Sequence, residues 1–391
     1  MLIVSGRQSD IENSVVKEGM AQTRDTGSLG EVPEARPDVI IHQRTGYALK
    51  QAGSYPAWPW VARAGDGRLV CVFREGLRHN HNPPPHLPEQ VLFTDSEDGG
   101  RTWTPARQVA GAADEFCRNA AITGLADGTL MIVYGSFSPR SEVSAAKVIL
   151  SRDGGQTWDK PVAIAENCGT RAAPIVLSSG DLLVPMYGPF RESTVEGQES
   201  TPGNLLAARS ADSGRTWEMH HVPNPDSLPE DEWDVCEVEK GRIVGITHFR
   251  QQSEACYFKT ESRDGGRTWD VPVRTNVVQA DPAAWPGRNG GPPQIDMHGQ
   301  TPVLTYPDHR LLSVSMATTH DSEMRVWDVD RQLNCYRYPE EVSDSGYPCS
   351  VAVGERQRFV VDYEIRAGNS VDGCWIAGYY VDLPDNWGRD S

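Results

Sequence analysis

One eight-residue phrase occurs four times in this chain. The copies are SEDGGRTW (96–103), SRDGGQTW (151–158), SADSGRTW (210–217) and SRDGGRTW (262–269). Their aspartates, Asp98, Asp153, Asp212 and Asp264, stand 55, 59 and 52 residues apart. A period of this length marks a repeat architecture, in which each unit buries its face against the next. A second repeat is interleaved: an apolar strand, a tight turn, and another apolar strand. It covers 59–73, 120–134, 173–187, 234–249, 301–316 and 347–363. Each copy reads as a hairpin. RVWDVDRQLN, after the fifth, reads as a decayed copy of the phrase. Six sheet-forming units predict an all-β, six-bladed β-propeller over residues 37–391, with residues 1–36 as a polar arm. DVIIH (38–42) is expected to supply the outer strand of the last blade, and CWIAGYYVDL (374–383) its interior.

In S-x-D-x-G-x-T-W the glycines permit positive φ, and Asp and Ser can bond backbone N–H groups of the turn. The Trp can pack on the blade beneath. One carboxylate per copy is too few for calcium, and four copies are too many for one active centre. The phrase is therefore read as scaffold.

Composition agrees. Hydrophobic residues make up 38% of the 391, with 37 Gly and 28 Pro to punctuate the strands. The net charge of −17 argues against a nucleic-acid partner. The first residues carry an apolar run of only three, so neither a signal peptide nor a membrane anchor is read, and a cytoplasmic location is expected. Eight scattered cysteines without a CxxC pair read as free buried thiols. The histidines of HNHNPPPH (79–86) meet only part of a zinc requirement, and neither a metal nor a cofactor is assigned.

The four phrases are Asp boxes, or BNR repeats. Over about residues 38–385 the chain resembles the sialidase (neuraminidase) superfamily. The resemblance implies a Tyr nucleophile at the start of the last blade's inner strand, which is Tyr347, nine residues before Arg356 in the turn. It pairs that Tyr with a Glu nine residues before another blade's turn glycine: Glu232, before Gly241. A phenol is a weak nucleophile, and a neighbouring carboxylate can serve as its base. The resemblance further implies Arg250 after the Glu blade's second strand and Glu364 after the last blade's second strand.

Departures from the family pattern are as informative. The position of the first of three carboxylate-binding arginines holds Ala57. The register for the third gives Asp321, with Arg325 nearby. The loop after the first blade lacks the acid/base Asp; it offers Arg74, Glu75, Arg78, His79, His81 and His86. In one reading the charge has moved around the ring. Arg118 and Arg171, ten and nine residues before Gly128 and Gly180, join Arg250 in holding an acidic sugar, and His81 replaces the Asp as proton donor. In the other, Trp58 or Trp60 stacks on a different sugar, and Asp234 or Asp321 binds its hydroxyls. Arg74 completes the substrate-binding set.

The expected function is a sialidase-like exo-acting glycoside hydrolase with a glycan or small sugar as its partner. A polysaccharide lyase using Tyr and His, and a non-catalytic glycan-binding propeller, are the alternatives. Long loops at 189–203, 222–232 and 281–300 are candidates for shaping the pocket or an oligomer contact.

Overall fold

The structure is a computed structural model. It describes residues 37–44, 55–76, 89–111, 115–137, 144–189, 204–225, 230–249, 256–279, 291–338, 342–366, 374–385 and 387–388. The expected arm, 1–36, lies outside them. Six antiparallel sheets of four or five strands follow one another along the chain as the blades of a propeller. The inner strands are Tyr55–Arg63 (blade 1), Phe116–Gly124 (blade 2), Gly169–Thr170 with Ile175–Val176 (blade 3), Glu230–Glu239 (blade 4), Gln294–His298 (blade 5) and Cys349–Gly354 (blade 6). Among the described residues there is one short 3-10 turn, and no helix is long and apolar enough to cross a membrane.

Blade 6 is built from both ends of the described chain. Its outer strand, Val39–Arg44, pairs with Cys374–Asp382, with Val39 opposite Gly378 and Arg44 opposite Cys374. Cys374–Asp382 pairs in turn with the blade's second strand, Gln357–Arg366. The expected closure is thus realised. Seven of the eight cysteines are buried, Cys335 is half-buried, and all are free thiols.

Blade 5 corrects the sequence reading. Its inner hairpin is Gln294–His298 with Thr301–Asp308. The apolar stretch 301–316, read as inner and second strands, instead forms the second and third. The true inner strand carries Asp296 and His298 and lacks a continuous apolar run, so its sequence resembles a loop. Asp321 consequently does not approach the axis. It accepts the N–H groups of Glu323, Arg325 and Val326 in a peripheral loop. The Trp327 indole donates to Met324 O there, as Trp103 and Trp269 do to Gly100 and Gly266. This is the decayed fifth Asp box, and it begins a few residues before RVWDVDRQLN.

The four intact boxes share one bonding pattern. The Ser hydroxyl donates to the Asp carboxylate at 2.8 Å in every copy. The Thr hydroxyl donates to the same carboxylate at 2.5–2.7 Å. Hydrogen bonds from the Thr102 side chain and backbone hold the exposed Asp98 down to about pKa 2. The second small residue of each box lies against the preceding blade. A Cβ at Gly100 would stand 3.2 Å from Phe359, at Gly155 2.8 Å from Phe93, at Gly214 3.0 Å from Met131, and at Gly266 2.7 Å from Leu183. The boxes therefore fasten blade to blade, and their aspartates organise the fastener.

Gly266→Ala combines positive-φ strain with a collision, whereas Gly241, at similar φ, has open space around its missing Cβ. Gly241→Ala is expected to cost about 1–2 kcal/mol, and Gly266→Ala about 1–3 kcal/mol more. Denaturant titration of the two variants reads the difference, and equal losses would contradict the fastener.

Candidate active site

In five of the six blades the ladder between inner and second strand breaks at the same level. The breaks fall between Ala57 and Trp60, between Arg118 and Ala121, between Thr170 and Ile175, between Glu230 and Trp233, and between Asp344 and Cys349. Each break contains the residue nine before the hairpin turn: Trp58, Asn119, Arg171, Glu232 and Tyr347. An extra residue in one strand bends it and re-aims its side chain. Trp58 and Asn119 do so at φ 56° and 47°, a conformation rare outside glycine and concentrated at functional sites.

These side chains meet across the ring. Arg171 of blade 3 lies over the ring of Tyr347 of blade 6, the guanidinium carbon 5.2 Å from the centroid, and donates to Pro348 O at 3.5 Å. It also lies 4.9 Å over Trp60 of blade 1. Trp58 is 5.8 Å from Tyr347, ring to ring. Asn119 of blade 2 donates to Glu232 of blade 4 at 2.5 Å and to the Tyr187 hydroxyl of blade 3 at 3.0 Å. Contacts between non-neighbouring blades arise only where all blades converge, at the axis. His248 stands 3.7 Å from Glu232. The Tyr347 N–H donates to Asp362 at 3.0 Å.

The structure thus brings Tyr347, Arg171 and Trp58 into one cluster and Glu232 and Asn119 into another, with Arg118 next to Asn119 in sequence. Arg250 and His81 lie outside the described residues, as do Arg78, His79 and His86. Arg74, Trp58 and Glu364 are packed as closely as Arg171 and Glu232, which are 2% and 3% exposed. Arg74 is fully buried, ion-paired to Glu89, with its guanidinium 4.7 Å over Trp58. It packs against Trp58 and Tyr55. Trp58 is 3% exposed and packs beneath that cation. Glu364 is 1% exposed and accepts the Tyr379 hydroxyl at 2.6 Å, between blades 5 and 6.

Glu89, Asn119, Tyr187, His248 and Asp362 were not singled out from sequence. The nine-residue register already contained Asn119. Glu89 precedes the strand Gln90–Ser96, Tyr187, His248 and Asp362 lie within strands, and none of the four has a distinguishing spacing. Glu89 is fully buried between two cations, with Arg118 Nε at 4.0 Å from its second oxygen. Arg74 and Arg118 thus share Glu89, while Arg171 lies over Tyr347 and Trp60.

Below this level the inner strands of all six blades line an axial cavity of about 350 Å³. Asp234, on its wall, is not available for sugar hydroxyls. It accepts Val235 N–H at 2.8 Å and Ile295 N–H at 2.9 Å, tying blade 4 to blade 5. Burial pushes its carboxyl up to about 7, against the pull of those two N–H groups. The folded form therefore keeps a proton that the unfolded chain releases near pH 4, so stability falls as pH rises from about 4 to about 7. Asp234→Asn, neutral at every pH, is expected to flatten that decline in a series of thermal melts. An unchanged slope would contradict the assignment.

The fold and site can be compared with known proteins. A family model described as BNR repeat-like domain matches residues 90–348. A sialidase of Micromonospora viridifaciens is 26% identical over 297 residues, 65% of this chain and 42% of its own length. This chain therefore spans less than half of that relative. A sialidase of Paraclostridium sordellii is 24% identical over 374 residues, 84% of this chain and 85% of its own length. The crystal structure of a protein of unknown function from Dyadobacter fermentans superimposes with a TM-score of 0.70 at 18% identity, covering 90% of this chain and 100% of that one. The family model covers more than half of the chain, and the blades and boxes agree with it: the chain belongs to the BNR repeat-like family, as a six-bladed propeller of the sialidase superfamily.

Proposed function

We propose that the chain is an exo-acting glycoside hydrolase of the sialidase type, acting on a terminal sugar that carries a carboxylate. The observation that carries this reading is the pair of cross-axis contacts, Arg171 on Tyr347 and Asn119 on Glu232. Tyr347, Glu232 and Arg171 occupy the same register position on three blades, and each touches a residue of a non-neighbouring blade. Arg118 and Arg171 supply cations for the sugar carboxylate. Two relatives named as sialidases support the same substrate class.

In the first half-reaction Tyr347 Oη attacks the anomeric carbon and passes its proton to Glu232, while the glycosidic C–O bond breaks. The departing oxygen takes a proton from an acid, for which His81, in the loop after blade 1, is the candidate. Water then attacks the anomeric carbon and gives a proton to His81, while the C–O bond to Tyr347 breaks and the phenol oxygen takes its proton back from Glu232. Asn119 orients the Glu232 carboxylate through its 2.5 Å bond, and Tyr187 fixes Asn119. Arg171 lies over the Tyr347 ring, and a fixed cation there stabilises negative charge that develops on the phenol.

The test is release of free sugar from α-linked sialosides, with uronides as the second panel. Glu232→Gln is expected to lower kcat by about 10²- to 10⁴-fold, and Tyr347→Phe by more, with both variants folded. Full activity in either variant would overturn the assignment. Formation of an unsaturated, ultraviolet-absorbing product without consumption of water would identify a lyase. Saturable glycan binding without turnover would identify a binding protein.

A further inference from the structure

Tyr347 lies in a stretch, 345–348, where the inner edge of blade 6 leaves the sheet. Above it, Val342–Asp344 pairs with Arg366 and Ile365; below it, pairing resumes at Cys349 opposite Val361. Residues 362–364 of the second strand therefore have no ladder partner on that side. Asp362 fills this gap with its side chain. It is fully buried. One carboxylate oxygen accepts the Tyr347 N–H at 3.0 Å and the Tyr363 N–H at 2.8 Å. The other accepts the Tyr338 hydroxyl at 2.5 Å and the Tyr336 hydroxyl at 3.2 Å.

The two tyrosines come from the outer edge of blade 5, Tyr336 within the strand Leu333–Arg337 and Tyr338 just beyond it. Tyr336 stacks on Tyr379 of blade 6 at 3.6 Å and 11° between planes. Tyr379 donates to Glu364. Behind Tyr347 there is thus a closed set of two buried carboxylates and three tyrosines that joins blade 5 to blade 6. A carboxylate accepting four hydrogen bonds has its orientation determined from four directions. The Tyr347 backbone inherits that orientation.

We propose that Asp362, held by Tyr336 and Tyr338, is a positioning residue for Tyr347: it replaces the missing ladder bond and fixes the segment that aims the phenol at the axis. This rests on the reading of Tyr347 as nucleophile. Asp362 acts through Tyr347, so its removal is expected to slow the chemical step and leave substrate binding nearly intact. Misplacing a reacting group by about 1 Å costs on the order of 10²-fold in rate.

The test compares kcat and KM of Tyr347→Phe, Asp362→Ala, Asp362→Asn and Tyr338→Phe on an aryl α-glycoside of N-acetylneuraminic acid, each assayed well below its own Tm. The expected result is an inactive Tyr347→Phe, and Asp362→Ala reduced about 10²-fold in kcat with KM within about threefold of wild type. Asp362→Asn, which keeps the oxygen that accepts both N–H groups, is expected to recover most of the rate. Tyr338→Phe is expected to lose several-fold in kcat. If Tyr347→Phe is inactive while Asp362→Ala lowers only Tm, the positioning role is overturned and the nucleophile reading stands. If Tyr347→Phe is active, both fall. Should Asp362→Ala fail to fold, Tyr338→Phe decides: an unchanged kcat overturns the proposal.

Discussion

Everything functional here depends on a strand contributed by one end of the chain closing a sheet contributed by the other. Val39–Arg44 seals against Cys374–Asp382, and the six sheets become a ring. An open row of blades would leave blade 3 far from blade 6. In the closed ring their inner strands face each other across the axis, and Arg171 can lie on Tyr347. The hydrophobic layers between blades and the Asp-box glycines set the pitch of the ring. Phe93, Met131, Leu183 and Phe359 each receive the small residue of the next blade's box.

The site itself is made by defects in regular structure. Along most of each inner strand the ladder is intact and side chains alternate as a pleated strand dictates. At one level it breaks in five blades, and the five residues in those breaks are the ones with chemical character. Positive φ at Trp58 and Asn119 costs on the order of 1–3 kcal/mol each and persists because neighbours over-determine it. For Trp58 those neighbours are Arg74 and Tyr347, and for Asn119 they are Glu232 and Tyr187. The strain and the site therefore have the same origin.

Much of this was legible in the sequence because repetition fixes register. Four aspartate phrases identify the fold, and a constant nine-residue offset from the turn finds Tyr347, Glu232 and Arg171 without any contact being known. The register failed in blade 5, where polar Asp296 and His298 on the axial face hid the inner strand and the next hairpin was taken in its place. Burial was not legible either. Arg74 and Glu364 look like solvent-facing charges in sequence; their concealment depends on Glu89 and Tyr379, which approach from other strands. Asp362 is one acid in an apolar strand, and only the gap in the ladder opposite it reveals its purpose.

The central claim is that Tyr347 becomes covalently bonded to the sugar. The most direct measurement is mass spectrometry after incubation with a sialyl fluoride carrying a second fluorine beside the anomeric carbon, which slows the hydrolytic half-reaction. The account predicts one added sugar per chain, located on the peptide containing Tyr347 and absent from Tyr347→Phe. Turnover of natural substrate with this peptide unmodified, or the sugar found on another residue, would contradict it.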